Sequence, residues 1–408
     1  MVPKLRFEGF NKNWAVKKLE NVFSFKNGLN ASKEMYGKGI KFINVLDIIN
    51  NEKITFDVIQ ESVEATNEQI SAYQVRQGDI VFQRSSETRD EVGQANVYAD
   101  SETVLFGGFV IRARPLININ STFFNFQLKT DALRKDITQR SGGSTRYNIG
   151  QDSLGKVTAF FPEIREQEKI ANFLSSVDEK MALLNKQYDL LCQYKKGMMQ
   201  EIFSQKMRFK DDSGRAFPEW KSTILDEVVD LITNGLALNQ NDSKNGYPVS
   251  RIETISECCI NMKKVGFVDT DNDISNYKLN YGDMLFSNIN SISHIGKIAY
   301  FDIDDTLYHG MNLLRIVIKN SHCKLFFYYQ LTTDTNKKYF ESRANQAVSQ
   351  ASINQTELRK TPVQVPCKEE QTKIANFLSA LDDKIVVKKA ELDKLKAWKQ
   401  GLLQQMFV

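Results

Sequence analysis

Two clusters of polar side chains stand out for the bonds they offer a nucleic acid. The first is Arg84, Ser85, Ser86 and Arg89, joined further on by Arg146, Tyr147 and Asn148. The second is Asn288, Asn290, Ser291 and His294, joined by Gln346, Ser349, Gln350 and Asn354. Arginine reaches guanine O6 and N7 with two hydrogen bonds, and asparagine or glutamine does the same to adenine. Serine and threonine hold phosphates and set the position of a loop. Taken singly, each of these residues also reads as an ordinary solvated loop residue. What singles them out is that both clusters sit in the same frame of a repeated text and differ in nearly every side chain.

Chemistry of other kinds is hard to assemble. The chain has no GxxxxGK[ST] phosphate loop. It has no Pro-Pro, hence no [ND]PP[YF] tetrapeptide to hold a target amine. Its G-x-G, Gly37-Lys-Gly39, lacks a third glycine and reads as a turn. Asp211, Asp212 and Glu219-Trp-Lys221 can be forced into a nuclease pattern with two carboxylates on a metal. The matching stretch, Asn13-Trp14-Ala15, keeps only the tryptophan, which argues against it. The three histidines (294, 309 and 322) lack metal-ligand spacing, and no CxxC occurs. No histidine lies in the first half, so no nucleophile triad forms there. The expectation is a chain without catalytic, cofactor-binding or metal-binding residues.

The elements that must position these clusters come from a tandem repeat. EQEKIANFL at Glu166–Leu174 returns as EQTKIANFL at Glu370–Leu378, half the chain length later, with eight of nine positions identical. The match continues through Val177/Leu381, Asp178/Asp382, Lys180/Lys384, Tyr194/Trp398, Gly197/Gly401, Gln200/Gln404 and Phe203/Phe407. Ile170, Leu174, Val177, Met181, Leu184, Tyr188, Leu191, Lys195, Met198 and Ile202 recur at alternating spacings of four and three, a heptad seam. The second copy repeats it, and lysine breaks both seams at one register, Lys195 and Lys399. Roughly 40 residues at helical rise make a rod of about 60 Å.

Upstream of each rod the text is mixed. Apolar runs at Lys41–Val45, Asp79–Phe82, Val104–Arg112 and Val157–Phe161 predict strands, and Thr122–Thr138 predicts a helix. Tyr73–Phe82 answers to Tyr277–Phe286, Gly108 to Gly310, Arg112 to Arg315 and Phe123-Phe124 to Phe326-Phe327. Gly78-Asp79 reads as a structural turn. Phe10 and Trp14, with Phe217 and Trp220, read as packing anchors. The expected fold class is α/β (α+β): two similar globular modules on a pseudo-two-fold tandem repeat, joined by two long helices. Symmetry and short connections favour an antiparallel intramolecular coiled coil. The expected boundaries are 1–161 and 206–365 for the modules, 162–205 and 366–408 for the helices.

A chain of 408 residues with 41% hydrophobic and 25% charged residues suits an ordinary globular protein of two or three domains. No apolar run reaches membrane-span length, and the N-terminus has no signal-peptide core. Cys192, Cys258, Cys259, Cys323 and Cys367 are scattered as reduced thiols are, so a cytoplasmic location is expected. A net charge of +4 permits a nucleic-acid partner without demanding one.

The doubled pattern P-x-x-x-E-Q-x-K-I-A-x-F-L-x-x-x-D-x-K, after two divergent modules, resembles the specificity subunits of type I restriction–modification systems. Pro162 with Glu166-Gln167 and Pro366 with Glu370-Gln371 stand at that family's entry to its conserved helix. Gly78–Phe82 and Gly282–Phe286 resemble its Gly-Asp-hydrophobic strand, and Ser141-Gly142-Gly143-Ser144 its glycine-serine segment. The second copy, Ala344–Ala347, departs there. The resemblance implies two target-recognition domains, each reading half of a bipartite site in double-stranded DNA, and a coiled coil that spaces them. It implies two methyltransferase subunits and ATP-driven restriction subunits as partners, carrying S-adenosylmethionine, ATP and Mg2+. It also implies adenine methylation after base flipping. Two other readings stand beside it: a methyltransferase or nuclease fused to its own reader, and a coiled-coil scaffold without base reading.

Overall fold

The computed structural model describes residues 2–292, 294–346 and 350–407, without the side chain of Gln346. The chain forms two compact units. Unit 1 comprises Met1–Asn185 with Ala390–Val408, and unit 2 comprises Lys186–Lys389.

Unit 1 is built on a four-stranded antiparallel sheet in the order Phe23–Asn27, Val110–Pro115, Ile80–Gln83, Ala95–Val97. The strand Ile80–Gln83 is buried along its whole length because both sheet faces are covered. Ile80 and Phe82 join a core with Phe123, Phe124, Ile170 and Leu174, and Val81 joins another with Ile54, Tyr98 and Phe106. Unit 2 repeats the order with Val229–Asn234, Leu313–Ile318, Met284–Ser287 and Ile298–Tyr300. The central sheets are antiparallel, so the α+β form of the expectation applies.

The Gly-Asp turn launches the central strand in both units. Gly78 and Gly282 have φ of 87° and 90°, a left-handed conformation that favours glycine. The next carboxylate is buried and closes the turn: Asp79 accepts from Arg76 N at 2.9 Å, Asp283 from Asn280 N at 2.8 Å. Each is neutralised from the neighbouring strand, Asp79 by Arg114 at 2.7 Å and Asp283 by Arg315 at 2.6 Å.

Three sequence expectations change. Val104–Arg112 is two strands, Leu105–Phe106 and Val110–Pro115, because the Gly107-Gly108 step turns the chain between them. Thr122–Thr138 is two helices, Ser121–Leu128 and Asp131–Gln139; the Thr130 hydroxyl donates to Gln127 O and ends the first. Lys41–Val45 runs from the Tyr36–Ile43 strand into a helix at Val45, opened by an Asn44/Asp47 capping box.

The repeated Glu-Gln dipeptide clamps each rod to its module. The rods are the helices Ile164–Phe203 and Lys368–Met406. Fully buried Glu166 accepts two bonds from Arg6 (2.7 and 2.8 Å) and one from Trp14 Nε1 (3.3 Å). Glu370 receives Arg208 (2.9 and 2.9 Å) and Trp220 (2.9 Å) in the same way. Gln167 accepts from Asn120 N and donates to Pro162 O; Gln371 accepts from Cys323 N and donates to Pro366 O. The tryptophans are therefore hydrogen-bonded anchors as well as packed ones.

The rods run in opposite senses within each unit. In unit 1 Trp14 touches both Glu166, at the start of one rod, and Phe407, just past the end of the other, while Asp178 pairs with Lys399 at 2.5 Å. In unit 2 Trp220 bonds Glu370 and reaches Phe203 through Phe326, while Lys195 pairs with Asp382 at 2.6 Å. The lysines that interrupt the heptad seams are thus matched by aspartates that are themselves repeat partners. Such a polar pair at a seam position favours one register over its neighbours.

Candidate nucleic-acid interface

Both candidate clusters fold into small ribbons beyond the end of the central strand. In unit 1, Ser85-Ser86 pairs antiparallel with Tyr147-Asn148, so residues some sixty positions apart become direct neighbours. The Ser85 hydroxyl donates to Asn148 Oδ1, and Gly142 bridges Asn148 to close the hairpin. In unit 2, Ile289-Asn290 pairs with Ala351-Ser352, which also pairs with Asn345-Gln346. The departure of the second copy from the glycine-serine text therefore builds a third short strand on the same plan.

Not every candidate is available to a ligand. Arg84 is half-buried, with Nη1 3.4 Å from Gly108 O, and Arg89 donates to Thr138 O from the surface. Arg146 and Asn148 are exposed, and Tyr147 is half-buried. Ser86 is buried; it donates to Glu91 and accepts from Thr88 N, which gives it a role in the fold. In unit 2, Asn290, half-buried, reaches Ser287, and exposed Ser291 bonds His294 Nδ1 at 2.9 Å. Asn288 is buried, and its Oδ1 has no hydrogen-bond partner among the described residues. Such an orphan costs about 1–3 kcal/mol. Asn354 caps the helix Gln355–Arg359, accepting from Glu357 N at 2.9 Å. Gln350 is exposed, Gln346 is placed by its backbone alone, and Ser349 lies outside the described residues.

One neighbour escaped the sequence reading. Phe109 is 63% exposed in the turn that precedes the Val110–Pro115 strand, and its carbonyl accepts from Arg84 N at 2.8 Å. It was hidden inside a run that reads as one continuous strand.

Among the described residues, no group of three His, Cys, Asp or Glu side chains is placed to hold a metal ion, and no helix is long and apolar enough to cross a membrane. A groove of about 770 Å³ in unit 2 is lined by residues such as Lys195, Gln200, Asp334 and Gln364 and by none of the candidate set.

The family described as Type I restriction modification DNA specificity domain matches residues 11–192 and 218–397, one copy per half of the chain. The chain belongs to this family. Among relatives of this specificity family, the putative type I restriction enzyme MjaX specificity subunit of Methanocaldococcus jannaschii is 39% identical over 202 residues. That alignment spans about half of each protein, 48% of this chain and 48% of the relative. The StySPI specificity subunit of Salmonella potsdam is 21% identical over 91% of this chain and 82% of its own length. The fold matches the crystal structure of the type I restriction–modification S subunit from M. genitalium, with a TM-score of 0.61 at 18% identity over 100% of this chain and 99% of that one.

Proposed function

We propose that this chain is the sequence-reading subunit of a type I restriction–modification complex. Each unit reads one half of a bipartite site in double-stranded DNA through its ribbon. The observation that carries this reading is one ribbon built twice on a common frame with different side chains: Ser85-Ser86 against Tyr147-Asn148, and Ile289-Asn290 against Ala351-Ser352. Phosphate contacts position a reader and base contacts specify, so a fixed frame with changeable edges suits the task. Methyl transfer and cleavage belong to methyltransferase and restriction subunits, which bind S-adenosylmethionine, ATP and Mg2+. The chain itself is non-catalytic.

The test is methylome sequencing of cells that carry the system with and without this chain. Methylation at a bipartite motif is expected only with it. A motif that persists without the chain contradicts the reading. Methyl transfer or cleavage by the purified chain alone contradicts the division of labour.

A further inference from the structure

The turn before each arginine-bearing strand is built with unusual closeness. Leu29 bridges Gly107 and Leu236 bridges Gly310, and a Cβ on Gly28 or Gly235 would lie 2.0 Å from the facing carbonyl oxygen. The two backbones therefore touch where no side chain fits. A Cβ on Gly108 would meet Asn30 Oδ1 at 1.9 Å, so the first turn is pinned from that side as well. Structure aligns Gly107, rather than Gly108, with Gly310. Each turn then presents one large apolar side chain to solvent: Phe109 at 63% exposure, and Met311, one position earlier in the aligned turn, at 48%.

These side chains stand next to the ribbons. Arg84 N donates to Phe109 O, and Arg84 O accepts from Ile149 N, so Arg84 lies between the tip and the returning Asn148 strand. In unit 2, Ser287 pairs with Leu313 at the base of the turn, and Asn288 O accepts from Ile353 N. A rigid turn that holds an apolar side chain in water, beside polar groups able to read base edges, suits insertion between stacked bases. Phenylalanine and methionine are both used as such wedges.

We infer that Phe109 and Met311 are wedge residues that unstack a base step in the half-site read by their own unit. The inference rests on the proposed DNA reading. It adds a contribution to specificity from the deformability of that step, because flexible pyrimidine–purine steps unstack most easily.

The experiment uses the full chain assembled with its methyltransferase subunits, and duplexes carrying the motif found by methylome sequencing. 2-Aminopurine replaces one base at a time in each half-site, omitting the methylated adenine. Wild-type complex is expected to raise fluorescence at one step in each half. Phe109→Ala should abolish the rise in one half only and weaken binding about tenfold to a hundredfold, and Phe109→Trp should retain both. Met311→Ala should act on the other half. Because both residues are exposed, the variants are expected to keep the wild-type Tm. If Phe109→Ala leaves fluorescence and affinity within about twofold of wild type while the motif is still preferred over a scrambled duplex, the wedge is overturned and the DNA reading stands. If the wild-type complex does not prefer the motif, the underlying reading fails and the wedge with it.

Discussion

Glu166 holds Arg6 and Trp14 in unit 1, and Glu370 holds Arg208 and Trp220 in unit 2, residue for residue. The Gly-Asp turns, the sheet orders and the lysine–aspartate pairs also recur. The ribbons recur as backbone and diverge as side chains. Repetition therefore marks what holds the frame, and on the proposed reading divergence marks what touches the DNA. The best-matched stretch of the sequence, Glu166–Leu174, is the clamp and the start of the rod.

The clamp gives the largest expected effect. Arg6→Ala leaves the buried Glu166 carboxylate unpaired and should destabilise unit 1 by about 3–5 kcal/mol. Arg208→Ala should do the same to unit 2. Hydrogen exchange resolved by unit checks both: protection should fall chiefly in the unit that carries the substitution. Equal loss in both units would show that the clamps do not act separately.

Much of this frame was legible and its closure was not. Heptad spacing gave the rods because the apolar seam repeats locally, and the Gly-Asp-apolar text gave the central strand. The partners of Glu166 lie about 150 to 160 residues away, and nothing in local spacing links them. Lys195 and Lys399 were visible as breaks, and Asp382 and Asp178 as repeat matches, but joining them requires the antiparallel register. The candidate site was drawn from the sequence as two lists of polar residues. The ribbon pairing of Ser85 with Asn148 was not, because two-residue strands carry no period. Phe109 was missed because Val104–Arg112 looks like unbroken strand.

The seam pairs separate the units by burial. Asp178 is 19% exposed and burial pushes its pKa up; Lys399, which pairs with it, also meets Glu52, itself bonded to Lys129. Asp382 is 38% exposed and keeps a bond from the Tyr329 hydroxyl. Lys399→Met should cost unit 1 about 2–3 kcal/mol. Lys195→Met should cost unit 2 about 1 kcal/mol or less, since solvent screens the aspartate left behind. Denaturant melts of the two variants compare them, and a larger loss for Lys195→Met would reverse the ranking.

A further effect distinguishes the units by pH. His309 stands where unit 1 has Phe106, one residue before the matched Gly310 and Gly107. Burial pushes its pKa down to about 4, with Arg315 adding to the shift and the bond to Leu313 O opposing it. The unfolded chain then binds a proton that the folded unit refuses between about pH 6.5 and 4. This contribution is complete above 6.5 and is lost as pH falls towards 4. From pH 7 to 5 it amounts to about 2 kcal/mol. His309→Phe should flatten that part of the unit 2 stability profile and leave unit 1 unchanged. An unchanged slope in unit 2 would remove His309 as its source.

The division between repeated frame and unrepeated reader is tested most directly by giving both halves the same reader. A chain with residues 1–161 in place of 206–365, expressed with its partner subunits, should direct methylation to a motif that carries the first half-site in both arms. A methylome that retains the original second half-site would contradict the account.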